Sequence, residues 1–321
     1  MPKQAVLLLA HGTPETLEEI PEYLRNVVSG RPLPEHVIEE IKHRYSLIGR
    51  SPLTEITLAQ GRLVEAQLAA EGIDAQVYVG MRNWKPYIPD VVRKMHADGV
   101  VEAAVICLAP QNSRTSVGLY KRAVQAEAGS LKIDFTEGWA QDPLLADAFA
   151  ERLRAAQTRM IQETGGPVPV LFTAHSVPCR TVQAQAANEG QPKLWPAGEG
   201  ADPYAQEAKR TADLVAERVP EIPKWWFAFQ SQGASGGPWI GPTVEETLTA
   251  IAGESVRTIL LQPIGFLCDH VEILYDVDIA FKEYAAKLEI RLERPESLNA
   301  SPILARAIAE LAKRGLSRLQ G

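Results

Sequence analysis

Residues 4–14 read Gln-Ala-Val-Leu-Leu-Leu-Ala-His-Gly-Thr-Pro, an apolar run that ends in a histidine and a Gly-Thr-Pro turn. An apolar run of this length, bounded by turn residues, predicts a buried strand of a parallel sheet. The pattern returns at residues 168–178, Val-Pro-Val-Leu-Phe-Thr-Ala-His-Ser-Val-Pro, where Ala-His again closes the run and a proline follows. This internal echo predicts two similar halves, each organised around one buried strand.

Apolar runs alternate with amphipathic segments between and beyond these two strands. We predict further strands at residues 76–80, 101–108, 132–135, 225–229 and 256–261. We predict helices at residues 15–28, 34–44, 55–71, 86–97, 117–128, 143–163, 204–218, 244–252 and 302–314 and a loop at residues 44–53. Such alternation is typical of an α/β chain, and we expect two doubly wound, Rossmann-like halves with parallel four-stranded sheets around a central cleft.

The strongest linker signal is Gly165-Gly166-Pro167. We therefore place an N-terminal half at residues 1–165 and a C-terminal half at residues 166–321, and we expect the final helix to be able to pack back on the first half. Two domains also agree with a prior of roughly 150 residues per domain. The polar residues 180–202 predict an exposed loop.

Composition narrows the class of protein. The chain is 45% hydrophobic and 23% charged, and its net charge of -7 disfavours nucleic acid as a general partner. Three cysteines without CxxC spacing disfavour a disulfide framework or a zinc site and fit a reducing cytoplasm. We see no signal peptide and no apolar stretch near the ~20 residues of a spanning helix. We expect a cytoplasmic protein without a transmembrane segment, and a monomer.

An acidic stretch follows the last predicted apolar strand. Residues 265–278 contain Asp269, Glu272 and Asp276, which would share one face of a helix. A row of charge on a helix is often only a solvated face. Here large apolar residues flank the acids, and the stretch lies at the mouth of a buried strand. These features also permit a site for a hard cation or a proton relay.

Two histidines end predicted strands in matching places. His11 and His175 each follow an apolar run, and ligands of such folds bind beyond the carboxyl ends of the strands. We expect both to face one cleft together with Glu272. His175 could instead be a satisfied structural residue. Ser176 lacks the Gly-x-Ser-x-Gly setting of a hydrolase, and residues 233–239 lack the Lys of a phosphate-binding loop; we expect that loop to bring Trp239 to a pocket wall.

Several motifs together resemble the ferrochelatase family over nearly the whole chain. They are Gly-Thr-Pro at 12–14, Arg-Tyr-x-x-Ile-Gly-Arg-Ser-Pro-Leu at 44–53, Leu-Ala-Pro at 108–110, Ala-His-Ser-x-Pro at 174–178, Gln-Ser-Gln-Gly at 230–233, Pro-Trp-x-Gly-Pro at 238–242 and Gly-Phe-x-x-Asp-His-x-Glu-x-Leu-Tyr-Asp at 265–276. The resemblance implies that Fe(II) is inserted into a porphyrin, so iron and porphyrin are the expected partners.

The resemblance also assigns roles to residues. His175 and Glu272 match the family's catalytic pair and are jointly assigned to proton acceptance and metal delivery, with Asp276 as a third metal contact. The family's acidic row often continues where this chain has Ala280, and Asp278 is a possible substitute. The family's [2Fe-2S] cluster needs four cysteines, so we expect no cofactor.

The segment before residue 52 bears on the substrate. It is short and polar, as in the coproporphyrin-type members of the family, so coproporphyrin III is the expected substrate and protoporphyrin IX the alternative. The expected porphyrin contacts are His11, Arg44, Arg50, Ser51 and Tyr120. Two further readings stay open: a tetrapyrrole or metal carrier, which would not need the acidic row, and a cobalt chelatase of corrin synthesis.

Overall fold

The computed structural model describes residues 3–182, 202–233 and 237–320. The first half contains four strands: β1 (Gln4–Ala10), β2 (Gln76–Met81), β3 (Glu102–Cys107) and β4 (Lys132–Thr136). Its helices are α1 (Ile20–Val27), α2 (Glu35–Ile48), α3 (Leu53–Ala70), α4 (Ile88–Ala97), α5 (Val117–Glu127) and α6 (Pro143–Thr164). The α6 helix begins at a capping aspartate, Asp142, and ends at Gly165 in the left-handed conformation.

The second half repeats the arrangement. Its strands are β5 (Val170–His175), β6 (Trp225–Gln230), β7 (Thr258–Pro263) and β8 (Arg291–Glu293). Its helices are α7 (Cys179–Val182), α8 (Tyr204–Arg218), α9 (Val244–Gly253), a π-helix (Glu272–Phe281), α10 (Lys282–Lys287) and α11 (Pro302–Gln320). None of the helices in these described segments is long and apolar enough to cross a membrane.

The two sheets have equivalent strand orders. The first is β2-β1-β3-β4 and the second is β6-β5-β7-β8, and all pairings between these strands are parallel. The echoed strands β1 and β5 therefore occupy the same position in their sheets. Since their carboxyl ends mark the crevice of such a fold, His11 and His175 lie at equivalent edges. The predicted fold class is confirmed.

One hydrophobic core lies between the halves. It combines Val6 and Ile106 of the first sheet with Phe172 and Leu260 of the second. The last helix, α11, completes this core, because it packs against β3, α3 and α6 and buries Ile308 fully. The final helix thus contacts elements of the first half.

The structure corrects several predicted boundaries. The helix predicted at residues 15–28 is only α1, and α2 continues through residues 44–48 of the predicted loop, so Arg44 lies on a helix. The short strand β8 was missed, because three residues are too few to show a period. Most of the predicted loop at residues 180–202 lies outside the described residues.

Candidate functional site

His175 ends β5 and is held by its neighbours. Its carbonyl accepts a 2.8 Å hydrogen bond from the Tyr204 hydroxyl, and its Nδ1–H donates to the Ser176 carbonyl. A carbonyl can only accept, so Nδ1 carries the hydrogen and Nε2 is left for chemistry. Rings of Phe266 and Trp239 lie 6.2 Å and 6.3 Å from the imidazole, centroid to centroid. The expected role of Trp239 as a pocket wall stays a prediction.

Glu272 faces His175 from the first residue of the π-helix. The Nε2 of His175 lies 3.5 Å from the Oε1 of Glu272. Both side chains keep about a third of their surface exposed, so a ligand can reach them. Strand-end reasoning predicted that these two residues meet, and the structure brings them together.

A third residue, His270, supports the pair and was missed by the sequence analysis. Its Nε2 lies 3.7 Å from the second carboxylate oxygen of Glu272, and its Nδ1–H donates to the Cys268 carbonyl over 3.1 Å. His270 is buried, which leaves it facing the carboxylate and not solvent. The Asp-His-x-Glu spacing was visible in the sequence, but nothing in it indicated that the imidazole turns back to Glu272.

The electrostatics of the pair follow from burial and mutual attraction. Burial acts to raise the pKa of Glu272, but the neighbouring imidazoles of His175 and His270 hold it well below its usual range. Burial likewise acts to lower the pKa of His175, but the Glu272 carboxylate and the Ser176 carbonyl raise it above its ordinary value. The carboxylate therefore stays ionised, and the imidazole beside it is a better proton acceptor than an isolated buried histidine.

Asp276 lies one turn beyond Glu272 and is partnered differently. Its carboxylate accepts a hydrogen bond from Ser231 over 2.5 Å and lies 3.4 Å from Nη1 of Arg44. Burial and the Glu272 charge raise the pKa of Asp276 to about 6, although Ser231 and Arg44 act in the opposite direction. Within the described residues, no group of three or more His, Cys, Asp or Glu side chains is placed to hold a metal ion. A metal shared by His175, Glu272 and Asp276 stays a prediction.

The other two acids of residues 265–278, Asp269 and Asp278, both contact Arg294. Asp278 pairs with Arg294 through two 2.8 Å contacts, and Asp269 accepts hydrogen bonds from Arg294, Ser297 and Asn299. Within the part of the chain that the structure describes, no side chain caps the N-terminus of this helix, so Asp269 does not act as its cap. Asp278 is paired with the Arg294 guanidinium, so it does not extend a row of unpaired acids past Asp276.

The opposite side of the cleft carries His11. Its Nε2 hydrogen-bonds the Tyr23 hydroxyl over 2.9 Å, and the Asn83 amide lies 3.1 Å from the same nitrogen. Burial, aided by the charge of Arg82, lowers the pKa of His11 to about 3. The imidazole is therefore neutral near pH 7, the form that can ligate a metal.

The other predicted porphyrin contacts differ in setting. Arg50 is exposed and pairs with Glu55 over 2.7 Å. Ser51 is buried, so its hydroxyl is not exposed to solvent. Tyr120 is buried beneath Arg82, whose guanidinium lies 5.6 Å from the ring centroid. Arg44 lies on α2 and contacts Asp276.

The two equivalent four-stranded parallel sheets form a fold of the chelatase type. The sirohydrochlorin chelatase SirB of Bacillus subtilis subspecies spizizenii, solved with cobalt, superposes with a TM-score of 0.52 at 12% identity and covers 97% of this chain and 94% of its own. SirB from Bacillus subtilis, solved with Fe³⁺, superposes with a TM-score of 0.56 at 13% identity and covers 97% and 95%. At these identities the likeness shows the fold alone.

The sequence comparisons identify the family. The ferrochelatase family model matches residues 3–316. A ferrochelatase of Acidobacterium capsulatum is 62% identical over 99% of this chain and 96% of that protein. A coproporphyrin III ferrochelatase of a Geobacillus species is 32% identical over 96% of each chain. The chain belongs to the ferrochelatase family, and it is a metal chelatase whose substrates are a porphyrin and iron.

Proposed function

We propose that this protein inserts Fe(II) into coproporphyrin III. The observation that supports insertion is the 3.5 Å His175–Glu272 contact at the strand ends. A porphyrin must lose two pyrrole protons, which are very weakly acidic, while the incoming cation loses its waters. A base within hydrogen-bond reach of the ring nitrogens meets the first need.

His175 is the group we assign to proton acceptance. Its Nε2 faces the cleft because its Nδ1–H is held by the Ser176 carbonyl. Once protonated, the imidazolium is stabilised by Glu272, which His175 and His270 keep ionised although burial acts to raise its pKa. The same nitrogen and carboxylate are suitable ligands for several divalent metals, so Zn(II) and Co(II) should also be inserted.

The surface of residues 15–51 supports the choice of porphyrin. Most apolar side chains of this segment pack inward on Ile20, Tyr23, Tyr45 and Trp84. Across the described residues, four large apolar side chains are exposed, and Leu47 is the one that belongs to this segment. The mostly polar surface of residues 15–51 suits coproporphyrin, whose four carboxylates prefer polar and cationic contacts.

We also propose that the protein works in the cytoplasm.

The test compares two substrates. We expect kcat/KM for Fe(II) insertion to be higher with coproporphyrin III than with protoporphyrin IX. Arg50→Gln should lower kcat/KM for coproporphyrin III more than for protoporphyrin IX. Arg93→Gln is the matched control, because Arg93 is also an exposed, ion-paired guanidinium but lies on α4 beside Asp90. A clear preference of the wild type for protoporphyrin IX would overturn the substrate assignment and leave the chelatase assignment intact.

A further inference from the structure

Arg44 joins the two halves across the cleft. It lies on α2 of the first half, and its Nη1 is 3.4 Å from Asp276 on the π-helix of the second. Its guanidinium also lies 5.0 Å from the centroid of the Tyr275 ring and is paired with Glu40. One cation therefore links α2 of the first half to Asp276, which lies one turn beyond Glu272.

The contact between Arg44 and Asp276 is loose. Charge-assisted N–H···O contacts are usually about 2.7–2.9 Å long, and this one is 3.4 Å. Among the residues that the structure describes, the buried Nε of Arg44 has no hydrogen-bond partner, so the guanidinium keeps an unused donor. The side chain is still 29% exposed and has room to turn outward. A carboxylate that bound Nε and one Nη together would offer it a better contact than Asp276 does.

We propose that Arg44 is a positioning residue that couples porphyrin binding to metal binding. A porphyrin carboxylate draws the guanidinium away from Asp276, and the freed Asp276 carboxylate then attracts the metal ion towards Glu272. The protein accordingly favours binding of the porphyrin before the metal. This inference rests on the proposed function, because it requires a bound porphyrin with a carboxylate that contacts Arg44.

Electrostatics set the direction of the effect. A guanidinium beside Asp276 competes with any cation for that carboxylate, so its removal strengthens cation binding. Coupling between two ligands is reciprocal and typically amounts to about 5- to 150-fold. The porphyrin should therefore tighten metal binding, and the metal should tighten porphyrin binding by the same factor.

The experiment measures Co(II) binding by equilibrium dialysis with and without Ni(II) coproporphyrin III, whose centre is already filled. For the wild type, the Kd of Co(II) should fall by about fivefold or more when the porphyrin is present. Arg44→Gln should bind Co(II) more tightly than the wild type without porphyrin, and the porphyrin should tighten it no further. The proposal would be overturned if the porphyrin left the wild-type Kd of Co(II) unchanged. It would also be overturned if, without porphyrin, Arg44→Gln had the same Kd of Co(II) as the wild type.

Two further variants localise the effect. Asp276→Asn should remove the response to the porphyrin, whereas Arg93→Gln should behave as the wild type does. A response that persists in Asp276→Asn would show that Arg44 does not act on that carboxylate. Fe(II) insertion into metal-free coproporphyrin III is measured in parallel on the wild type. Insertion without coupling refutes only the Arg44 inference, whereas absence of insertion refutes the proposed function.

Discussion

At the scale of single residues, His175 carries the sharpest prediction. His175→Ala removes the group to which we assign proton acceptance, so we expect insertion to fall by about 100-fold or more, the usual contribution of general acid–base catalysis. Porphyrin affinity should stay near that of the wild type, as measured by quenching of porphyrin fluorescence. His36→Ala is the control, since that histidine is exposed on α2. Near-normal turnover in His175→Ala would contradict the role assigned to the pair.

Asp276 carries a prediction about pH. Its ordinary pKa is 3.8 and its pKa in the folded protein is about 6, so between these values the folded state binds more protons than the unfolded state. Stability therefore falls as the pH rises through this window, by up to about 3 kcal/mol at 1.36 kcal/mol per unit. Asp276→Asn should raise the free energy of unfolding near pH 8 by roughly 1–3 kcal/mol and leave it unchanged near pH 4.

Urea denaturation at the two pH values measures this difference. Asn keeps an oxygen for Ser231, so the substitution mainly removes the buried charge. A loss of stability near pH 8 would show that the Arg44 and Ser231 contacts outweigh the cost of burial. The Glu272 charge contributes to the raised pKa, so Glu272→Gln should shrink the difference between the two pH values.

Sequence reasoning located the pair but not its surroundings. His175 and Glu272 were predicted to meet because parallel strands present their carboxyl ends at one edge, which is a property of topology and not of side-chain detail. The contact of Glu272 with His270 depends on the side-chain rotamers of the two residues. The contact of Asp276 with Ser231 joins residues that are 45 positions apart in the chain. A pattern of residue types does not contain that information.

At the scale of elements, the π-helix is the largest departure from the sequence analysis. Residues 272–281 form hydrogen bonds to the fifth residue along, whereas we predicted α-helical spacing. Both helices place Glu272 and Asp276 about one turn apart, so the apolar pattern does not distinguish them. Single-turn π segments are rare and occur frequently at functional sites. This one spans ten residues and begins at Glu272.

The turn after β7 gives a prediction at this scale. A Cβ on Gly265 would lie 3.1 Å from both Cα and Cβ of Ala174 and 3.4 Å from the His175 nitrogen. Gly265→Ala should therefore push the end of β5 aside, lower stability by about 1–3 kcal/mol and displace His175. A displacement of about 1 Å can cost up to about 100-fold in kcat.

The control is Gly253→Ala at the end of α9, where an added Cβ meets no atom of the described residues within 4 Å. This variant should retain both stability and turnover. Thermal unfolding and insertion kinetics are measured on both variants. Equal behaviour of Gly265→Ala and Gly253→Ala would show that the close approach at Ala174 does not position His175.

At the scale of the whole molecule, the two halves repeat in topology but are not separate in packing. Each sheet has a core on its outer face, whereas the core between the sheets draws on both halves. Polar contacts add to it: the Gln111 amide donates to the Ile264 carbonyl over 3.1 Å, and the Asn112 N–H donates to Glu207 over 2.6 Å. The echo in the sequence revealed the repeat, but strand patterns do not show which faces share a core.

The shared core predicts that the halves unfold together. Ile308 on α11 is fully buried in that core, so Ile308→Ala should lower the free energy of unfolding by about 2–5 kcal/mol. Leu47→Ala is the control, because its side chain is 51% exposed and its loss should matter within about 0.5 kcal/mol. Hydrogen exchange read by mass spectrometry should show protection falling in β1 and β3 as much as in β5 and β7. Loss of protection confined to the strands of one half would mean that α11 does not join the two halves into one cooperative unit, and that each half unfolds on its own.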